Sequence, residues 1–207
     1  MDDDKLRRYT SIPALIYLLT NRVITLLDPT SWDDVNDSHY LAAYKRRKRL
    51  QRVLVLCFSQ GRETYHHWRV FAHGSSGVCI RLHRAEFLDA VVKTPGIVAN
   101  PVKYRKLPEK KTPKPPLEDL PFLKRYAFEP EEEFRLVWGS EQAGDPKLDI
   151  PFELRAIAQI SLSPWMPEPL VKDVKTILHR IEQCGAIKIV RSTLINNERW
   201  KKMSDDR

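Results

Sequence analysis

Cysteine is scarce in this chain of 207 residues, with only Cys57, Cys79 and Cys184 present. Their number is odd and their spacing is unpaired, which argues against a disulfide framework and against a zinc site. Cys57 and Cys79 lie inside apolar runs, where a free thiol usually behaves as a small buried hydrophobe. This usage is typical of the reducing cytosol, and we expect a cytoplasmic protein.

Long apolar runs are also missing. No uninterrupted apolar stretch is long enough to span a bilayer, and no apolar signal segment opens the sequence. The motif HGSSG at residues 73–77 precedes a predicted strand, whereas phosphate-binding loops follow one. Its serines have no nucleophile-elbow context. The sequence therefore favours neither a membrane protein nor a serine hydrolase.

Positive charge is abundant. Lysine and arginine number 35 against 27 acidic residues, which gives a formal net charge of +8. Much of the excess lies in two runs, residues 45–52 (KRRKRLQR) and 103–114. Such a balance can hold nucleic acid through counterion release, or it can serve solubility alone. The candidate nucleic-acid contacts are Arg46, Arg47 and Arg49 on a predicted helix, and the alternative is a solvated helix face.

Strand and helix patterns mix without the regular alternation of a doubly wound fold. Apolar or β-branched runs suited to strands cover residues 5–10, 22–27, 53–59, 77–82, 97–105, 131–138, 154–163 and 186–190. Helical patterns cover residues 11–21, 40–50, 64–72, 83–91 and 170–181, with Ser11 as an N-cap and Gly185 closing the last helix. We predict an α+β fold, one compact domain over residues 1–207, with a bent, mostly antiparallel mixed sheet flanked by short helices.

Residues 106–121 (KLPEKKTPKPPLEDLP) contain five prolines mixed with lysines. This composition predicts an extended surface loop inserted between two strands, with a domain boundary as the alternative.

The segment FEPEEEFRLVW, residues 128–138, combines four glutamates with an apolar run around one arginine. Read as a strand, it sends Phe134, Leu136 and Trp138 to a core face. The opposite face then carries Glu131, Glu133, Arg135 and Val137. Arg135 would pair with Glu133 and orient it, which leaves Glu131 free to stabilise a developing cation. The alternative is a solvated surface with a weak ion pair.

Two smaller features have ordinary explanations. His66 and His67 are adjacent, with His73 nearby, but adjacent histidines point apart on a helix and no carboxylate lies at zinc-site spacing, so we expect no metal. Asn36 and Asp37 fit an Asx turn or a helix cap.

Taken together, these motifs resemble the bacterial family catalogued as domain of unknown function 2971. The resemblance runs from about residue 6 to residue 138, and more weakly beyond. Its matching positions are Arg8-Tyr9, Asn36-Asp37, Cys57-Phe58-Ser59, Trp68, Phe71, Ala72, Gly77-Val78-Cys79-Ile80, Phe128, Glu131, Glu133, Phe134 and Arg135. Ser38, Phe71 and Phe128 depart from the family pattern, and Phe71 rules out a hydroxyl role at that position.

The layout is also similar to that of abortive-infection proteins and, more weakly, of ADP-ribosyltransferases. The latter likeness implies Arg8 and Tyr9 on an early strand, a polar group near Thr25, and Glu133 with Glu131 as catalytic acids. Further substrate-binding candidates are Asn36, Asp37, Trp68 and Arg135.

The implied activity is ADP-ribosyl transfer or NAD cleavage in a bacterial defence or toxin system. NAD would be a substrate rather than a tightly bound cofactor. The alternative is a non-catalytic module of a defence system that binds nucleic acid or a nucleotide. A protein partner within such a system is also expected, and a membrane is not.

Overall fold

The computed structural model describes residues 4–72, 74–107 and 113–204. Within these ranges the strands are β1 (Lys5–Ser11), β2 (Val23–Leu27), β3 (Arg52–Ser59), β4 (Gly77–His83), β5 (Ile97–Pro101), β6 (Lys103–Arg105), β7 (Leu123–Arg125), β8 (Glu133–Ser140), β9 (Lys147–Pro151), β10 (Ile157–Leu162) and β11 (Ile189–Arg191). The α-helices are α1 (Ile12–Asn21), α2 (Val35–Arg47), α3 (Tyr65–Phe71), α4 (Arg84–Val91), α5 (Glu168–Arg180) and α6 (Glu198–Lys201). No helix in these ranges has both the length and the apolar character needed to cross a membrane.

Nine of the strands form one sheet, in the order β11-β10-β4-β1-β3-β2-β9, with β8 on β3 and β5 on β8. Only the β10–β11 pair is parallel among the strand pairs described in this sheet. The predicted α+β class and the mostly antiparallel mixed sheet are confirmed. A separate parallel ribbon consists of β6 and β7.

The sheet divides at β3, and this division creates the candidate site. One edge of β3 pairs with β8 along its whole length, from Arg52↔Ser140 to Ser59↔Glu133. A strand has only two edges, so β1 and β2 must share the other one. β1 meets it only at Arg7↔Ser59, and β2 meets it only at Leu27↔Val55. The two strands therefore diverge along the middle of β3 and leave an opening between them.

Both faces of β8 are covered, as its alternation predicts. Phe134 and Leu136 enter the main core beneath the sheet. Val137 points to the opposite face, into a smaller cluster with Leu41 of α2 and Phe122. The predicted separation of the two side-chain rows from residue 133 onward is confirmed. Because α2 covers the second face, the polar row of β8 is buried rather than solvated.

The predicted extended strand is wrong at its start. Residues Tyr126–Glu131 form a 3₁₀ helix, and β8 begins at Glu133. Pro130 fits this helix, and Glu132 adopts the left-handed conformation with φ 43°, which breaks the two-residue alternation. Glu131 therefore approaches the site from a turn and not from a strand.

Part of the predicted surface loop is also packed. Leu117–Phe122 form a 3₁₀ helix in which Leu120, Pro121 and Phe122 are buried. Burial of these apolar groups against α2 outweighs the extended preference of the preceding prolines. Residues 106–107 and 113–116 have no regular structure, and residues 108–112 of the predicted loop lie outside the described ranges.

The predicted N-cap of α1 is confirmed, and the predicted end of α5 is wrong. Ser11 caps α1 by accepting a hydrogen bond from the Ala14 amide, as predicted. Gly185 does not close α5, because the helix ends at Arg180 and Ile181 is already extended. Cys184 is fully buried just beyond this end.

Candidate active site

A cleft of about 390 Å³ opens where β1 and β2 diverge from β3. Its walls include Arg8 of β1, Thr25 of β2, Cys57 of β3 and the exposed ring of Phe71, and Glu131 also lines it. A smaller recess of about 40 Å³ shares Arg8, Cys57, Phe71 and Glu131 with the cleft and adds Tyr9 and Glu133. Residues from the first 60 positions thus face the acidic segment across one concavity.

Lys124 joins the two glutamates of this segment. Its Nζ donates to Glu131 Oε2 at 2.6 Å and to Glu133 Oε2 at 3.2 Å. The three side chains are nearly buried, with exposures of 9%, 5% and 7%. The ammonium therefore holds two carboxylates together that would otherwise repel each other.

Arg135 and Asp37 complete the buried charge cluster. Arg135 Nε donates to Glu133 Oε1 at 2.7 Å, and Nη2 donates to Glu133 Oε2 at 2.9 Å. The same guanidinium donates to both oxygens of Asp37, with Nη1–Oδ1 at 2.7 Å. A fully buried arginine is thus saturated by two carboxylates and by the Pro121 carbonyl. We name this set of Asp37, Lys124, Glu131, Glu133 and Arg135 the ion cluster.

The two glutamates differ in electrostatic setting. Burial opposes ionisation of Glu133, but Arg135 and Lys124 outweigh it and lower the pKa to about 2. Burial raises the pKa of Glu131 despite the Lys124 ammonium beside it. No lysine or arginine among the described residues pairs with Glu131 Oε1, and the half-exposed His66 ring lies nearby, with its Nε2 at 3.9 Å. Glu133 is consequently a saturated carboxylate, and Glu131 keeps one oxygen for a ligand.

The lowered pKa of Glu133 predicts acid sensitivity. Its stabilising contribution is complete above the ordinary value of 4.5 and is lost as the pH falls toward 2. A difference of that size corresponds to about 3 kcal/mol of unfolding free energy. Denaturant unfolding should show that the unfolding free energy falls between pH 5 and pH 2. This fall should be smaller by about this amount in Glu133→Gln than in the unmodified protein. The exposed Glu129→Gln should behave like the unmodified protein, and equal losses in all three proteins would contradict the assignment.

Behind the recess lies a packed aromatic group. The Tyr9 ring stacks on His67 at a centroid distance of 5.3 Å and meets the edge of Trp68 at 5.4 Å. His67 Nε2 lies 3.2 Å from Ser59 Oγ and 3.3 Å from the Glu131 carbonyl. Burial lowers the pKa of His67. This group fixes the back wall of the recess.

Arg8 is the cation that faces the acidic segment from β1. It donates from Nη1 to the Cys57 carbonyl at 3.2 Å, and no carboxylate pairs with it in the described part of the chain. Burial lowers the pKa of its guanidinium, with Glu133 acting in the opposite direction. The remaining donors of Arg8 can therefore serve an anionic ligand.

The predicted site residues separate into two groups. Arg8, Tyr9, Asp37, Glu131, Glu133 and Arg135 meet at the cleft or in the ion cluster behind it. The other predicted residues do not line the cleft. Trp68 is fully buried and its Nε1 donates a hydrogen bond to Glu63. It packs behind Tyr9, out of reach of a substrate. Asn36 is exposed at the start of α2, and its side-chain amide donates a hydrogen bond to Asp34.

Arg46, Arg47 and Arg49 are exposed at the opposite end of α2 from Asp37. Asp37 and Arg46 are nine positions apart along the helix, which corresponds to about 13 Å. His66 and His67 also diverge, one exposed and one buried, and His73 lies outside the described residues.

Sequence reasoning missed Lys124. This residue lies on β7, seven positions before Glu131, in the short run LKR. A lysine placed shortly before a cluster of glutamates could have signalled a counterion. The aromatic walls were also missed in part, since the Arg135 guanidinium lies over the Trp32 ring at 5.3 Å.

No family model and no curated protein matches the chain, so membership in the family of domain of unknown function 2971 stays a prediction. Two similar solved structures are of DarT from Thermus sp. 2.9. The complex with ADP-ribosylated ssDNA is 11% identical, with a TM-score of 0.46, and the match covers 93% of this chain and 95% of that one. The complex with NAD+ is 12% identical, also with a TM-score of 0.46, and the match covers 93% of this chain and 96% of that one.

Proposed function

We propose that this protein is an ADP-ribosyltransferase-like enzyme that cleaves the bond between nicotinamide and ribose in NAD. One observation carries the proposal. A buried carboxylate with one oxygen not bound to a cation, Glu131, lines a cleft that also contains Arg8 and apolar walls. Such a pocket supplies negative charge at a fixed point and a cation for phosphate, which are the two requirements of this reaction.

The chemistry suits a carboxylate that does not itself form a bond to the ribose. When the C1′–N bond breaks, its electron pair goes to the pyridinium nitrogen, and neutral nicotinamide leaves. The ribose then carries an oxocarbenium-like charge until the oxygen or nitrogen of an acceptor, or water, bonds to C1′. The acceptor loses a proton, and Glu131 Oε1 can take it. A fixed carboxylate stabilises the cation because it needs no reorganisation during the reaction.

Glu131 and Glu133 take different roles in this proposal. The sequence favoured Glu133 as the principal catalytic acid. Its two oxygens, however, are occupied by Arg135 and Lys124. We therefore assign Glu131 as the catalytic residue and Glu133 as a positioning residue, which acts through Lys124.

Arg8 and the apolar walls supply binding. The guanidinium can contact the pyrophosphate with two parallel donors, which is the geometry arginine provides for phosphate oxygens. Phe71, Leu27 and Val70 expose apolar surface at the cleft, and flat nicotinamide or adenine rings can pack on such surface. NAD acts here as a substrate and leaves as products.

The test is release of nicotinamide from NAD by the purified protein, followed by chromatography, with water or added nucleic acid as acceptor. Arg8→Gln should raise KM about tenfold or more with a smaller change in kcat, because it removes ground-state contacts to phosphate. The exposed Arg180→Gln, at a position that does not line the cleft, is the matched control and should leave both constants unchanged. No nicotinamide release with any acceptor would refute the proposal.

A place in a defence or toxin system and a cytoplasmic location follow from the sequence and stay predictions. The basic helix end with Arg46, Arg47 and Arg49 remains a candidate nucleic-acid contact, because these side chains are exposed. Its test is the salt dependence of nucleic-acid binding, which should become shallower when these arginines are replaced.

A further inference from the structure

A second groove of about 150 Å³ lies beside the cleft. The two concavities share Asp34, Asp37 and Lys124, so they are adjacent. The groove is also lined by three exposed cationic side chains, Arg105, Lys106 and Arg125. No role described above uses them.

Two of these cations face each other. Arg105 and Arg125 are directly opposed partners in the parallel ribbon of β6 and β7. Neighbouring strands lie about 4.8 Å apart, and like charges in opposed positions destabilise a sheet. Across the described ranges neither arginine forms an ion pair or hydrogen bond. The ribbon therefore holds an electrostatic repulsion that an anion between the two guanidinium groups would relieve.

The other walls leave the groove positive. Arg135 neutralises Asp37, so Asp34 is the one carboxylate that opposes the three cations. Its Oδ1 accepts hydrogen bonds from the first amides of α2, and its Oδ2 has no partner in the described ranges. Lys106 lines the groove, and its ammonium lies over the Tyr126 ring at 5.5 Å. Tyr40 adds an aromatic surface with a hydroxyl group.

We propose that Arg105 and Arg125, assisted by Lys106, form a phosphate-binding subsite. The ligand is a phosphate group, because two arginines from opposed positions of neighbouring strands can each donate to its oxygens. The phosphate can be one of the two in the pyrophosphate of a dinucleotide, with Arg8 on the other, or it can belong to the backbone of a nucleic-acid acceptor. Phosphate binding at this subsite does not require that the protein cleaves NAD.

The test measures the dissociation constants of inorganic pyrophosphate, NAD and a short single-stranded oligonucleotide. Arg105→Gln combined with Arg125→Gln should weaken pyrophosphate binding about tenfold or more. The control, Arg180→Gln combined with Arg199→Gln, removes the same charge at two exposed positions outside both concavities and should change binding less than twofold. If the loss of pyrophosphate affinity is matched by a loss for NAD, the dinucleotide is the source. If it is matched by a loss for the oligonucleotide and not for NAD, the acceptor is the source. The proposal is overturned if both double variants bind pyrophosphate as the unmodified protein does, or if both lose the same affinity.

A second variant separates binding from folding. Arg125→Glu replaces the opposed pair with an ion pair, so Tm without ligand should rise or stay constant. Pyrophosphate should raise the Tm of the unmodified protein but not that of the variant, because only a ligand that binds the folded state stabilises it. An equal rise in both proteins would rule the subsite out. These readouts require no turnover, so failure of NAD cleavage and failure of the subsite are distinguishable.

Discussion

Replacing Glu131 with glutamine should reduce nicotinamide release about 10³-fold and leave the fold intact. Glutamine keeps the shape and can still accept a hydrogen bond from Lys124, which donates to Glu131 Oε2 at 2.6 Å. It removes the negative charge that faces the forming cation at Oε1. Loss of one preorganised electrostatic group in an active site costs about 10²–10³-fold in kcat. Single-turnover kinetics should place the loss in the chemical step and leave NAD affinity within about threefold.

Two variants serve as controls. Glu129→Gln changes an exposed glutamate of the same 3₁₀ helix and should retain full activity. Glu133→Gln should lose both stability and activity, because it withdraws one carboxylate from Arg135 and Lys124. If Glu131→Gln stays fully active while Glu133→Gln folds normally and is inactive, the two roles are reversed.

The largest effect on stability is expected at Arg135. Arg135→Met removes the group that neutralises Asp37 and Glu133, and both carboxylates are buried. Uncompensated buried charges cost about 3–5 kcal/mol when one partner of an ion pair is deleted. A typical domain has only about 5–15 kcal/mol of unfolding free energy. Urea denaturation should therefore show a midpoint far below that of the unmodified protein.

A double-mutant cycle tests the cause of this loss. Asp37→Asn relieves one of the two uncompensated charges, so the combined variant should lose about 1–3 kcal/mol less than the sum of the single losses. The pKa of Glu133 should also move up from about 2 in Arg135→Met, because Arg135 is its main counterion. Arg47→Met on the surface should change the unfolding free energy by less than about 0.5 kcal/mol. A loss below 1 kcal/mol in Arg135→Met would show that the ion cluster carries little of the stability.

Local patterns predicted much of the fold because they depend on neighbouring residues. The buried strand β3, the capped helix α1 and the two-residue alternation of β8 after Glu133 all follow from side-chain periodicity or capping chemistry. The pairing of Arg135 with Glu133 was predictable for the same reason, since residues two apart on a strand lie on one side.

Other features depend on contacts between distant parts of the chain. Asp37 and Arg135 are 98 positions apart, and no periodicity links them. Trp68 illustrates a different limit, because a tryptophan beside a helix suits a core as well as a binding surface. Only the packing around Tyr9 and Cys79 identifies it as a core residue.

The sequence by itself determined an α+β protein with a basic charge and an unusual acidic segment that begins a buried strand. The tertiary structure decided which of its glutamates is saturated and which keeps an oxygen for a ligand. The physical reason is that the ionisation and availability of a carboxylate depend on burial and on counterions within a few ångströms. The counterion Lys124 comes from another strand, and the cleft itself comes from the divergence of β1 and β2 along β3.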